Sequence, residues 1–119
     1  MTRLKILSLI TLALLVASPA GASGRNPNPY MPKALRATFA CIMWHESRST
    51  LAHPNLGDNN ANGGSSGVFQ IMPGTWNAWA PSVNVHVPVW RATYFQQTKV
   101  AVKIAQVDGF GPWSVDGCV

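Results

Sequence analysis

Residues 33–47 read KALRATFACIMWHES, and this stretch decides the fold because it predicts a helix with an acid on its apolar face. Pro32 precedes it, at a position where proline is tolerated at the start of a helix. At about 100° per residue, four side chains with helical spacing fall on one narrow stripe. These are Leu35, Phe39, Ile42 and Glu46. Trp44 is predicted to point the opposite way.

Glu46 is the one glutamate in the chain, and its place on an apolar stripe needs an explanation. Burial disfavours the ionised carboxylate, and the negative end of the helix dipole disfavours it again. Both effects raise the pKa. An acid that stays protonated near neutral pH is suited to general-acid catalysis at a glycosidic oxygen. The alternative is an ordinary ion pair with Arg48 or Arg91.

The N-terminal segment has the layout of a secretory signal peptide over residues 1–22. MTRLK supplies positive charge, residues 6–16 are apolar, and Ala20-Gly21-Ala22 gives an A-x-A cleavage site. The apolar run is short for a hydrocarbon core of about 30 Å, so we expect cleavage and no lasting membrane insertion. Residues 23–32, SGRNPNPYMP, are predicted to form an extended linker, and residues 33–119 a single domain.

Charge and cysteine content narrow the possible partners. The formal net charge of +5 suits an anionic partner such as a cell wall, whereas the basic residues form no run that would follow a phosphate backbone. We therefore expect no nucleic acid. In an exported chain the two cysteines, Cys41 and Cys118, predict a disulfide that ties the first helix to the C-terminus. Such a bridge would stabilise the domain by roughly 4–5 kcal/mol.

The rest of the chain predicts a mostly helical α+β fold. Residues 49–67 form a long polar loop, and the apolar run 68–72 is predicted to be strand or extended. Helices are predicted over 75–80 and over 91–107, the second with Phe95 on its apolar face. Between them the alternating valines of residues 83–89 predict a strand, although Pro81 and Pro88 argue against a central one.

Four segments together resemble a known family. They are CIMWHES (41–47), SGVFQIMPGTW (66–76), QQTKVAVKI (96–104) and GFGPWSVDGC (109–118). This combination resembles the lytic transglycosylases of the lysozyme-like superfamily, especially small secreted actinobacterial domains related to the resuscitation-promoting factors. The resemblance covers about residues 33–118. It implies a lysozyme-like fold in which a small extended or β region flanks the cleft.

The resemblance also implies roles for individual residues. Glu46 would be the catalytic acid and base, and Ser47 would orient it or hydrogen-bond the substrate. Ser66, Phe69 and Gln70 would line the sugar-binding cleft. The implied substrate is the glycan strand of peptidoglycan, cleaved between N-acetylmuramic acid and N-acetylglucosamine by a secreted or wall-associated monomer without metal or cofactor. Trp113 would pack behind the cleft or contact sugar.

The mechanism follows from the number of acids together with this resemblance. With no second glutamate, Glu46 would protonate the bond and then activate the sugar's own 6-hydroxyl, which closes a 1,6-anhydro ring. Two alternatives keep the same cleft. In a hydrolytic lysozyme Asp58 would position water, although it can equally cap a turn. A wall-binding module would have no turnover. A metal hydrolase is disfavoured, because His45-Glu46 is not continued into a zinc-binding spacing.

Overall fold

The computed structural model describes residues 28–57 and 64–119. Within these ranges the chain is a small, compact and mostly helical domain, with α1 at Arg36–Ser47, α2 at Pro73–Trp79 and α3 at Tyr94–Asp108. Short 3₁₀ helices accompany them at Lys33–Leu35, Ala80–Val83, Val89–Arg91 and Gly111–Asp116. The predicted signal peptide, the first part of the linker and Asp58 lie outside the described residues.

No strand forms in the described part of the chain, so the predicted β content is wrong there. The run 68–72 lies in a tight turn that is closed by one isolated bridge between Ser66 and Ile71. The valine segment fails as a strand because it begins in a 3₁₀ helix and Asn84 then takes the left-handed conformation at φ 57°. The spacing of its valines reflects burial, since Val85 and Val89 enter the core.

Helix α1 forms where the sequence predicts it. Its buried side includes Phe39, Ile42 and Met43, while Trp44 is 49% exposed on the other side. The helix ends at Arg48, which adopts a left-handed conformation at φ 57°. The N–H of Ser49 then bonds back to the carbonyl of Met43 at 3.1 Å, a wrapped ending typical of helix C-termini. This ending fixes the orientation of the last turn, which carries Glu46.

Helix α3 begins later than predicted because a capping box sets its start. The Thr93 hydroxyl accepts from the N–H of Gln96, and the Gln96 side chain accepts from the N–H of Thr93. Phe95, which was predicted on the apolar face, is 43% exposed and packs against Tyr30, and Gln97 is buried instead. The rest of the buried side follows the helical period and includes Thr98, Ala101 and Val102.

The core joins α1 to the C-terminal part of the chain. Phe39 makes edge-on contacts with three aromatic rings at centroid distances of 5.4–5.7 Å: Phe69, Phe110 and Trp113. The predicted disulfide between Cys41 and Cys118 is present, with its Cα atoms 5.7 Å apart. The C-terminal 3₁₀ helix is therefore fixed to α1 by both covalent and aromatic contacts.

The end of the predicted linker is part of the packed structure. Asn28 and Met31 are buried, and the Asn28 side-chain amide donates to the Thr98 hydroxyl on α3. Among the described residues, none of the helices has the length and apolar character needed to cross a membrane.

Candidate active site around Glu46

Glu46 lies half-buried in the last turn of α1, with a pKa raised from 4.5 to about 7. Burial is the largest cause, because it disfavours the charged form. A hydrogen bond with the Asp116 side chain and the negative charge of that carboxyl raise the pKa further. An ion pair would have lowered it. The guanidinium of Arg48 instead lies 5.3 Å from the Trp44 ring, as a cation–π contact.

Asp116 is a member of this site that our sequence analysis missed. It ends the C-terminal 3₁₀ helix, and Gly117 at φ 71° then turns the chain into Cys118. The disulfide joins Cys118 to Cys41, about one and a half helical turns before Glu46 on α1. The sequence signal for this neighbour was that Glu46 lies a few residues from Cys41 and Asp116 lies a few residues from Cys118, so a disulfide between the cysteines brings the two acids near each other.

The turn at residues 66–71 packs against the end of α1 that carries Glu46 and forms one wall of the candidate site. Ser66 and Ile71 exchange backbone hydrogen bonds of 3.2 and 3.3 Å, which close the turn. Gly67 takes φ 81°, and a Cβ at this position would overlap the Gln97 side chain. Gln97 is held there by the N–H of Val68, which donates to its Oε1 at 2.8 Å. The glycine of the SGVFQ motif is therefore required by both conformation and space.

Ser47 connects the end of α1 to this turn. Its hydroxyl lies 2.8 Å from the Val68 carbonyl, 3.2 Å from the Met43 carbonyl and 2.6 Å from the Ser49 hydroxyl. The side chain is buried, with 3% of its surface exposed. These contacts tie the last turn of α1, which carries Glu46, to the turn at residues 66–71. The Ser47 hydroxyl is thus occupied by protein partners, and Ser47 fixes the end of α1 next to Glu46.

Phe69 and Trp113 are buried behind the turn. The Trp113 indole N–H donates to the Phe69 carbonyl at 2.8 Å, and both rings are about 1% exposed. Of the two roles considered for Trp113, the structure favours packing behind the cleft. Ser66 is buried as well. The motif residues Ser66 and Phe69 therefore shape the wall through their backbone, while their side chains face inward.

Gln70 is the motif residue at the surface of this wall. It is half-buried at φ 49°, its amide donates to the Gly67 carbonyl at 2.8 Å, and its Oε1 accepts from the Ser65 hydroxyl at 3.0 Å. Residues that include Gln70, Met72 and Pro112 line a small cleft of about 60 Å³, and Glu46 is not among the residues that line it. A half-buried amide at such a position can hydrogen-bond a sugar hydroxyl or acetamido group.

One group of potential metal ligands occurs within residues 28–57 and 64–119. The sulfur atoms of Cys41 and Cys118 and a ring nitrogen of His45 lie within 4.8 Å of one another. Both sulfurs belong to the disulfide, so they are not the thiolates that bind zinc. Glu46 is not part of this group.

Comparisons with protein-family models, with curated proteins and with solved structures gave no match to this chain.

Proposed function

We propose that this protein is a secreted lytic transglycosylase that cleaves the glycan strands of peptidoglycan, with Glu46 as its single catalytic acid and base. The observation that carries the proposal is the raised pKa of Glu46, about 7, on a half-buried carboxyl beside the Gly67–Gln70 turn. A carboxyl with this pKa is partly protonated at neutral pH and can both give and take a proton there. The substrate class comes from the resemblance of the four sequence segments to the lytic transglycosylases.

The arrangement of the two carboxyls favours a one-acid mechanism. Retaining glycosidases hold their two carboxyls about 5–5.5 Å apart, and inverting ones about 6.5–9.5 Å apart. The pKa of Glu46 is instead raised by a hydrogen bond with the Asp116 side chain, and carboxyls that share a hydrogen bond lie closer together than either of these spacings. Asp116 is therefore not the separate nucleophile or base of an ordinary glycosidase.

The proposed reaction balances without added water. Glu46 protonates the oxygen that links C1 of N-acetylmuramic acid to N-acetylglucosamine, and the C1–O bond breaks. The muramic acetamido group stabilises the resulting positive charge. The Glu46 carboxylate then removes the proton from the muramic 6-hydroxyl while O6 bonds to C1. The products are a new N-acetylglucosamine end and a 1,6-anhydromuramic end, and Glu46 is protonated again.

A lysozyme-like arrangement is part of the same proposal. Helix α1 presents the acid at its C-terminal end, a polar loop follows, and the turn at residues 66–71 returns against that helix end through the bond between Ser47 and Val68. In the proposed fold this loop and turn take the place of the small β region beside the cleft. Export as a monomer and contact with an anionic wall, favoured by the net positive charge of the chain, complete the proposal.

Mass spectrometry of peptidoglycan digested by the purified protein tests the function. We expect fragments with 1,6-anhydromuramic ends from the wild type and none from Glu46→Gln, which keeps the size of the side chain but carries no transferable acid proton. Reducing muramic ends would assign the chain as a lysozyme, with Asp58 as the candidate for positioning water. An absence of fragments from both proteins would leave a wall-binding module as the function.

A further inference from the structure

We propose that Asp116 is a positioning residue for the proposed reaction, holding the catalytic proton on Glu46 through a carboxyl–carboxylate hydrogen bond. This inference rests on the proposed function for its catalytic consequence, and the pairing of the two side chains is argued from the burial of Asp116 and from the anchoring of its segment to α1. It assigns a task to an acid in the segment 109–118, to which the resemblance gave no role.

The buried oxygen of Asp116 is the first observation behind the pairing. Asp116 Oδ2 is shielded from solvent and accepts no hydrogen bond from a donor within the described ranges. A buried carboxylate oxygen without a donor is unfavourable. The neighbouring Glu46 carboxyl has an O–H when it is protonated, and this O–H can donate to Asp116. One shared proton therefore stabilises both side chains.

The chain holds Asp116 in place from both sides. Trp113 is anchored three residues earlier by its bond to the Phe69 carbonyl, and Cys118 is bonded to Cys41 on α1. Gly117 lies between Asp116 and Cys118 in a left-handed conformation that favours glycine. Asp116 is therefore held between Trp113, which is bonded to the turn at residues 66–71, and Cys118, which is bonded to α1.

The charged groups around Glu46 make Asp116 the principal electrostatic neighbour. His45 and Arg48 flank Glu46 on α1, and both are exposed. His53, on the loop after α1, is exposed as well, and residues 64–71 of the turn carry no ionisable side chain. The one charged group that shifts the pKa of Glu46 is Asp116, through the hydrogen bond and through its charge.

The pairing serves both halves of the reaction. Before bond cleavage, the hydrogen bond to Asp116 keeps Glu46 protonated and fixes the direction of its carboxyl. After Glu46 has given its proton to the leaving oxygen, two carboxylates lie in contact and repel each other. This repulsion makes Glu46 a stronger base for the muramic 6-hydroxyl. A carboxyl whose pKa lies near the working pH is well matched to a residue that acts as acid and then as base.

The test measures the titration of Glu46 itself. Because Glu46 is the one glutamate in the chain, protein labelled with [5-¹³C]glutamate gives a single carboxyl resonance. We expect Asp116→Asn to move the titration midpoint down by about one pH unit. Asp116→Ser removes the same charge with a smaller side chain and covers the case in which the asparagine variant does not fold. Asp116→Glu keeps a carboxyl but adds a second labelled resonance, so it is followed by the pH profile of glycan cleavage, which should stay close to that of the wild type. Asp108→Asn, which removes an exposed acid on α3, is the matched control.

The pH profile of glycan cleavage gives the catalytic readout. With the midpoint one unit lower, the protonated fraction of Glu46 at pH 7 and the rate should fall roughly fivefold. The rate near pH 5 should change little. A purely structural role would reduce the rate by the same factor at every pH. An unchanged midpoint in both charge-removing variants would overturn the inference. A lowered midpoint in a protein that cleaves no glycan would retain the pairing and reject the proposed function.

Discussion

Glu46→Gln is expected to make the protein more stable above pH 7 and to leave its stability unchanged below about pH 4.5. The folded-state pKa of Glu46 is raised from 4.5 to about 7. The folded protein therefore binds the proton more tightly than the unfolded chain, and stability falls as the pH rises through this window. Above pH 7 both states are ionised, and the loss stays constant. A glutamine has no charge to bury, so the variant does not lose this stability as the pH rises.

The size of the effect follows from the shift. At about 1.36 kcal/mol per pH unit, the shift corresponds to roughly 3 kcal/mol for a fully buried group. Because the Glu46 carboxyl is partly exposed to water, screening reduces the expected gain to about 1–2 kcal/mol. For a domain of this size, 1 kcal/mol changes the melting temperature by about 4–8 °C. The difference is therefore within reach of an ordinary thermal melt.

The assay is thermal unfolding followed by circular dichroism, from pH 4 to pH 9, with the disulfide intact. Plotted against pH, the melting temperatures of the wild type and of Glu46→Gln should coincide at low pH. They should separate between pH 4.5 and pH 7 and differ by a constant amount above pH 7. Asp108→Asn controls for the loss of one negative charge, since this side chain is exposed at the end of α3. A difference that stays the same at every pH, or one that opens as the pH falls, would refute the reasoning.

Three further outcomes are expected from the contacts around the site. Ser47→Ala should lower the free energy of unfolding by about 1–3 kcal/mol in a urea titration, because the buried Val68 carbonyl loses its donor. An unchanged free energy would contradict a stabilising role for this hydrogen bond. Gly67→Ala should cost more than Gly74→Ala, because only the first position combines a positive φ with overlap on a side chain. Reducing the disulfide should lower stability by roughly 2–5 kcal/mol, and an unchanged melting temperature would contradict its role.

The parts of the fold that depend on local pattern were predictable from the sequence. Helix α1 formed as expected because its apolar residues follow the helical period, and this period also placed Glu46 against the protein interior. The pairing of Cys41 with Cys118 followed from an even cysteine count in a chain whose N-terminal sequence predicts export. In these cases the local pattern and the tertiary packing agree.

The strand predicted over residues 83–89 shows where local pattern is insufficient. Alternating valines are typical of a strand, yet the same alternation arises when an irregular chain turns successive side chains into a core. The left-handed Asn84 and the 3₁₀ helix at Val89–Arg91 are backbone conformations that the valine spacing does not encode. Tertiary packing of Val85 and Val89 decided the conformation instead.

Asp116 could not be predicted from spacing because its contact with Glu46 depends on the return of the C-terminus to α1. From the sequence, burial and the negative end of the helix were expected to raise the pKa of Glu46. In the structure burial is the largest cause of the raised pKa, and a second carboxyl adds to it. This neighbour changes the description of the candidate site from one isolated acid to two neighbouring carboxyls.

The central claim is that Glu46 keeps its proton close to neutral pH while it lies at the site. A ¹³C titration of the single labelled glutamate in the wild-type protein tests this directly. We predict a midpoint near pH 7, in line with the raised pKa. A midpoint near 4.5, the value of a carboxyl in free solution, would contradict the account and remove the basis for general-acid catalysis by this residue.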